Sequence, residues 1–327
     1  MELRDEYERK IEYLRISLTD KCNLRCKYCM PAEGISHLAH SDVLTLEEIL
    51  RVTGVLCRMG VRKIRLTGGE PLVRKNAISL IRRIGELPEK PELAMTTNGV
   101  LLEEHLEAIS DAGLRSINLS LDTLDRETYR ELTGVDALER VMGSLEKAEA
   151  LGFQVKLNVV PVRGVNDKEL TELAALAKER EISVRFIELM PIGCAKELQG
   201  IPAEEIARRL ETVYGKGTPV TGARGAGSGP ASYLQFPGFR GRVGFISPMS
   251  HTFCSECNRL RLTVDGRLKL CLYYPDGADL RTMLRSGCSD EELEKEIRRA
   301  VLRKPEHHSF QRVDQKIEKK SMVQIGG

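Results

Sequence analysis

Residues 14–29 read LRISLTDKCNLRCKYC, from Leu14 to Cys29. The first six alternate, with Leu14, Ile16 and Leu18 on one side of an extended chain and Arg15, Ser17 and Thr19 on the other. The spacing predicts a strand with one apolar and one polar face, followed by a loop carrying three cysteines. The same parity recurs in Lys63, Arg65, Thr67 against Ile64, Leu66; in Asn118, Ser120, Asp122 against Ile117, Leu119, Leu121; and in Gln154, Lys156, Asn158 against Val155, Leu157, Val159. Strand-like runs lie at 14–19, 63–67, 93–98, 116–122, 154–161 and 183–190, with helix-period segments between them. Helix starts are signalled at Thr45-Leu46-Glu47-Glu48, a capping-box pattern, and at Asp167. Six βα units imply a parallel sheet, either an open barrel or a doubly wound sheet. Parallel strands packed under helices are usually apolar on both faces, so the polar face either lines an interior that holds something charged or faces solvent. The sixth run, Ser183–Met190, fits the parity poorly and reads as bulged.

The chain has 327 residues, and counted with glycine but without tyrosine it is about 47% apolar, an ordinary globular composition. Disorder, collagen and coiled coil are excluded. No apolar run approaches the ~18 residues of a membrane span, and the first residues are charged where a signal peptide is apolar. A soluble, cytoplasmic protein without a membrane partner is expected. Fifty Lys and Arg against 48 Asp and Glu, interspersed, create no global field for nucleic acid. Any anionic ligand must be met by local positive charge.

Beyond residue 200 the pattern changes, which divides the chain into 1–200 and 201–327. One helix is expected over 202–213, then strands at 243–247 and 260–272, the latter turning at Asp265-Gly266, and an exposed helix over 291–302. The glycine-rich segment Gly222–Pro230 has no strand leading into it and reads as a mobile loop rather than a phosphate cradle.

Six of the nine cysteines form two groups: Cys22, Cys26, Cys29 as C-x3-C-x2-C, and Cys254, Cys257, Cys271 as C-x2-C-x13-C. Such groups read as metal ligands, whereas Cys57, Cys194 and Cys288 stand alone and read as small buried apolar residues. Three thiolates on the loop after the first strand can hold three irons of a [4Fe-4S] cube and leave the fourth open. A zinc site recruits a fourth protein ligand. For the second group a zinc set of His251, Cys254, Cys257 and Cys271 is chemically acceptable. The other histidines, His37, His40, His105, His307 and His308, lack ligand spacing and read as surface residues. Arg259 and Arg261 share one side of a predicted strand. With Arg15, Lys63, Arg65 and Lys156 they bring six cations to one cavity, which suits a polyanion.

C-x3-C-x2-C with Tyr28 before the last cysteine resembles the signature of the radical SAM superfamily, and Gly68-Gly69-Glu70-Pro71 resembles its GGEP motif. The stretch from Phe253 to Leu272, and the ending Ile325-Gly326-Gly327, resemble the molybdenum cofactor biosynthesis protein A family, the GTP 3′,8-cyclases, over nearly the whole chain. The resemblance implies a partial (βα)6 TIM-like barrel closed by a C-terminal extension, with one [4Fe-4S] cluster from each cysteine group. It implies the first step of molybdenum cofactor synthesis: a 5′-deoxyadenosyl radical takes hydrogen from C3′ of GTP and the carbon radical attacks C8, giving (8S)-3′,8-cyclo-7,8-dihydroguanosine 5′-triphosphate. Tyr28, Gly69, Ser120 and Met190 are then expected to contact S-adenosylmethionine, and Arg15, Arg65, Thr96, Lys156, Arg259, Leu260 and Arg261 to contact GTP. Arg259, Arg261, Gly326 and Gly327 carry the catalytic assignment, the tail entering the site. The implied partners are a flavodoxin- or ferredoxin-type electron donor and the next enzyme, cyclic pyranopterin monophosphate synthase, with the chain a monomer or homodimer. The rivals are another radical SAM enzyme with an auxiliary cluster and a zinc-stabilised nucleic-acid-binding module.

Overall fold

The computed structural model describes residues 2–31, 33–220, 229–310, 318 and 320–326. Its strands are β1 (Tyr13–Ser17), β2 (Lys63–Thr67), β3 (Glu92–Thr97), β4 (Ser116–Ser120), β5 (Gln154–Val159), β6 (Ser183–Ile187), β7 (Thr218–Pro219), β8 (Ser232–Gln235), β9 (Arg242–Ile246), β10 (Arg259–Leu262), β11 (Arg267–Lys269) and β12 (Gly277–Asp279). The helices are α1 (Leu46–Arg58), α2 (Ala77–Gly85), α3 (Leu106–Asp111), α4 (Arg126–Thr133), α5 (Leu138–Ala150), α6 (Leu170–Glu179), α7 (Ala203–Tyr214), α8 (Leu280–Arg285), α9 (Asp290–Leu302) and α10 (Met322–Ile325). All the strands join one sheet in the order β12-β11-β10-β1-β2-β3-β4-β5-β6-β9-β8-β7.

From β1 to β6 neighbouring strands run parallel, each crossing through helix, as the six-unit reading of the sequence expects. The C-terminal half then adds one parallel strand to each edge, β9 beside β6 and β10 beside β1. The outward side chains of the array, among them Leu14, Ile16, Ile64, Leu66, Ile117, Leu157 and Val184, are fully buried against the helices. Each contributes about 1.5–3 kcal/mol relative to exposure. The inward side chains of the same strands line one cavity of about 360 Å³, so the sheet curls around it as an open, partial barrel.

Local signals explain much of this arrangement. Thr45 and Glu48 form the expected capping box at the start of α1, the Glu48 amide donating to Thr45 Oγ1 at 3.1 Å and the Thr45 amide to Glu48 Oε2 at 2.7 Å. The signal at Asp167 misled: its carboxylate accepts from the Gly164 amide in a turn, and α6 starts only at Leu170. The bulge expected in the sixth strand is absent from the register, which runs evenly from Ser183 to Phe186 on β5 and to Ile187 on β9. Val184 and Phe186 pack outward while Arg185 and Ile187 line the cavity, so β6 shares the parity of the others. Of the Gly222–Pro230 segment, residues 222–228 lie outside the described residues; β7 and β8 on either side of it pair antiparallel.

Candidate active site

The three N-terminal cysteines line the cavity at the C-terminal end of β1. Their loop is pinned to α4 by the amides of Arg25 and Lys27, which donate to the Thr133 and Leu132 carbonyls at 2.7 and 3.0 Å. Cys22 Sγ accepts from the Leu24 amide at 3.4 Å and from Asn98 Nδ2 at 3.7 Å. Such donors suit an anionic, metal-bound sulfur. Burial, reinforced by neighbouring cysteines, pushes the Cys26 and Cys29 thiols well up.

The Gly68–Pro71 turn is stitched to that loop. The Gly69 amide donates to the Thr19 carbonyl at 2.7 Å and the Glu70 amide to the Lys21 carbonyl at 2.9 Å. A Cβ on Gly69 would lie 2.3 Å from the Lys21 carbonyl oxygen, which is why glycine stands there. The buried Glu70 carboxylate accepts from the Leu72 and Asn98 amides and from Thr97 Oγ1, yet burial still raises its pKa to about 7. Tyr28 donates from its hydroxyl to Asp122 Oδ2 at 2.6 Å, and the Val160 amide donates to Asp122 Oδ1 at 2.7 Å. Burial raises Asp122 to about 6 against these bonds.

Register brings the cations together. Arg15 on β1 sits beside Arg65 on β2 and Arg261 on β10, and Tyr13 sits beside Lys63 and Arg259. Lys156 and Arg185 project from β5 and β6 into the same cavity. Burial and then Arg261 push Arg15 well down; burial and then Arg259 lower Arg261 to about 10; burial and then Arg185, Lys63 and Arg65 lower Lys156 to about 8. Tyr13 is buried, which raises a phenol, but Arg65 and Arg15 outweigh this and hold it at about 8. Arg65 Nε donates to the Tyr13 hydroxyl. The side chains of Thr96 and Asn118, adjacent on β3 and β4, each hold a buried oxygen with no hydrogen-bond partner among the described residues, and the buried Arg185 Nε is a donor likewise without one. Such a chamber is electrostatically incomplete without an anion rich in acceptors and hydroxyls.

Cys254, Cys257 and Cys271 line this cavity too. Burial raises Cys257, but Lys304 and Arg259 outweigh it and lower the thiol to about 7. Arg9, buried and paired with Asp5 at 2.6 Å, donates to the Cys254 carbonyl at 2.7 Å and to the Pro305 and Glu306 carbonyls at 2.7 and 2.8 Å. His251 is exposed and pairs with Glu204 at 2.9 Å, away from the cavity lining, so it does not complete the four-ligand zinc set. Among the described residues no three His, Cys, Asp or Glu side chains converge as tightly as a single metal ion requires. A four-iron cube takes each thiolate on a different iron and needs no such convergence.

Two family models match consecutive parts of the chain, the radical SAM superfamily over residues 16–177 and Molybdenum Cofactor Synthesis C over residues 182–310. The chain is 47% identical over 327 residues to the GTP 3′,8-cyclase of Desulforamulus reducens, covering 99% of both chains. It is 43% identical over 326 residues to that of Clostridium perfringens strain 13, covering 99% of this chain and 100% of the relative. The chain belongs to the GTP 3′,8-cyclase family. A crystal structure of Streptococcus suis SuiB bound to S-adenosylmethionine shares the fold at TM-score 0.55 and 17% identity, over 81% of this chain and 60% of that one.

In this GTP 3′,8-cyclase family member, Tyr28, Gly69, Ser120 and Met190 line the cavity, as do Arg15, Arg65, Thr96, Lys156, Arg259 and Arg261. Leu260 does not: its side chain is fully buried on the opposite face of β10, leaving only its backbone toward a ligand. Gly326 reaches the site, its carbonyl accepting from Arg261, whereas Gly327 lies outside the described residues. His308 corrects its reading as a surface residue, because it lines the cavity beside Tyr273 and Phe310. The sequence reading singled out neither Arg185, hidden in the run judged irregular, nor Lys304 and Arg9, which no motif marks. Period-two parity extended through β6 finds Arg185.

Proposed function

We propose that the chain converts GTP to (8S)-3′,8-cyclo-7,8-dihydroguanosine 5′-triphosphate, the first step of molybdenum cofactor synthesis. One observation carries this reading: two cysteine triads and a set of buried cations line a single cavity. S-adenosylmethionine and a [4Fe-4S] cluster are the cofactors of the radical SAM family to which the chain belongs. Cys22, Cys26 and Cys29 would hold that cluster, and Cys254, Cys257 and Cys271 a second one. The bound cluster and S-adenosylmethionine supply a primary carbon radical, and the chain's own residues do the rest.

Arg15, Lys63, Arg65, Lys156 and Arg185 bind and orient the triphosphate, Thr96 offering its unpartnered hydroxyl. Arg259, Arg261 and the backbone of Leu260 hold the nucleoside toward the second triad. Tyr28, Gly69, Ser120 and Met190 form the S-adenosylmethionine subsite, with Asp122 fixing the Tyr28 ring. Gly326 closes the site against water through Arg261, and Gly327 keeps its catalytic assignment from the sequence alone. In this reading residues 1–200 carry the radical machinery and 201–327 the second cluster and tail. The protein is cytoplasmic, a monomer or homodimer, takes electrons from a flavodoxin- or ferredoxin-type donor and passes product to cyclic pyranopterin monophosphate synthase. No helix among the described residues is long and apolar enough to cross a membrane.

Anaerobic incubation with S-adenosylmethionine, reductant and GTP, followed by product identification, tests the reading. The cyclised nucleotide and 5′-deoxyadenosine are expected together. Cys26→Ser is expected to abolish both, and normal 5′-deoxyadenosine formation by that variant would refute the assignment of the first triad.

A further inference from the structure

Lys304 follows α9 and is buried, with 3% exposure. Its Nζ donates to the Arg259 carbonyl at 3.0 Å and to the Leu270 carbonyl at 2.5 Å, and its positive charge, with that of Arg259, draws the Cys257 thiol down. Arg259 lies two residues beyond Cys257, and Leu270 immediately precedes Cys271. One side chain therefore fixes the backbone beside two of the three cysteines. The segment it projects from is itself fastened, because Arg9 donates to the Lys304, Pro305 and Glu306 carbonyls and to that of Cys254.

The charge of Lys304 is met differently from that of its neighbours. Lys269 is paired with Glu318, and Lys320 with Asp265 at 2.8 Å. Lys304 is turned onto two carbonyl dipoles, and no carboxylate is paired with it among the described residues. A buried ammonium in that setting favours an anion at the sulfur, and the attraction is strong because little water screens it.

We propose that Lys304 is a positioning residue for the second cluster, holding the backbone beside Cys257 and Cys271 and raising the cluster's reduction potential through its fixed, buried positive charge. The inference rests on the reading that Cys254, Cys257 and Cys271 hold a [4Fe-4S] cluster. Reduction adds one negative charge to such a cluster, so a nearby buried cation stabilises the reduced form more than the oxidised one.

The test uses the full-length protein, purified and handled without oxygen. Iron and sulfide analysis with Mössbauer spectroscopy first counts the cubes. A single cube in the unaltered protein refutes the two-cluster reading itself, and the inference with it, whatever Lys304 does. With two present, the second is titrated by EPR in a full-length background carrying Cys22→Ala, Cys26→Ala and Cys29→Ala. Lys304→Gln is expected to move the midpoint to a more negative potential while Lys304→Arg leaves it near the parent value. An intact cluster whose midpoint does not move in Lys304→Gln overturns the proposal. Should that variant fail to assemble its cluster, the parent protein labelled with 15N-lysine still decides the matter. Pulsed EPR of the reduced second cluster is expected to detect a coupled lysine nitrogen, and absence of any such coupling overturns the proposal.

Discussion

Arg261 Nη1 donates to the carbonyl oxygen of Gly326 at 2.7 Å, joining the interior face of β10 to the residue after α10. Gly326 has φ +86°, and a Cβ there would lie 2.8 Å from Ser17 Cβ and 3.1 Å from Thr67 Oγ1. Gly326→Ala therefore displaces the tail without touching a cysteine. Overpacking of about 1–3 kcal/mol corresponds to about a fivefold to 150-fold loss of cyclised nucleotide. 5′-Deoxyadenosine release, assayed separately, is expected to persist, uncoupled from cyclisation.

Gly69→Ala meets backbone rather than a movable side chain, at 2.3 Å from the Lys21 oxygen, with Val323 Cγ2 at 2.9 Å on the other side. The cysteine loop must shift to admit it. The expected outcome is loss of S-adenosylmethionine binding by isothermal titration calorimetry and a lowered melting temperature, from strain of about 1–3 kcal/mol.

Asp122→Ala strands two buried donors, the Tyr28 hydroxyl and the Val160 amide. An unsatisfied buried donor costs about 1–3 kcal/mol. The Tyr28 ring loses its anchor, and S-adenosylmethionine affinity is expected to fall about tenfold or more. Asp122→Asn keeps an acceptor and is expected to retain most of the binding in the same titration.

Lys156 titrates at about 8 in the free protein, lowered by burial and then by Arg185, Lys63 and Arg65. Below that pH it is already charged. Above it the free protein has lost the proton, and binding a triphosphate must recover one. GTP affinity is therefore expected to weaken as pH rises through 8, with proton uptake visible as a buffer-dependent enthalpy. Lys156→Met is expected to bind more weakly at pH 7 and to show a flatter pH dependence above 8.

Asp5 and Arg9 form a buried pair, their side chains 0% and 6% exposed. Asp5→Ala leaves the guanidinium uncompensated, so a loss of about 3–5 kcal/mol is expected in denaturant unfolding. Because Arg9 also holds the Cys254 carbonyl, iron content is expected to fall in the same variant.

The alternation at Leu14–Thr19, repeated in later strands, made the parallel array and its polar interior legible, because one strand's parity fixes which side chains meet helices. The cysteine spacing and the paired arginines of β10 were legible for the same local reason. Lys304 and Arg9 were not, since each acts on backbone carbonyls remote in sequence, 34 and 45 residues away for Lys304 and 245 or more for Arg9, and a carbonyl leaves no mark on composition. The run Ser183–Met190 fits the parity poorly because an apolar residue, Ile187, stands on the cavity face of β6 and the strand ends there, with no bulge needed.

Strands β9 and β10 flank the parallel array on opposite sides, and β10 meets β1 across more than two hundred residues. During synthesis β1 must therefore wait, one edge bare, until nearly the whole polypeptide has left the ribosome. The nascent first half exposes two unpaired sheet margins, which makes the interval before completion the moment of greatest aggregation risk.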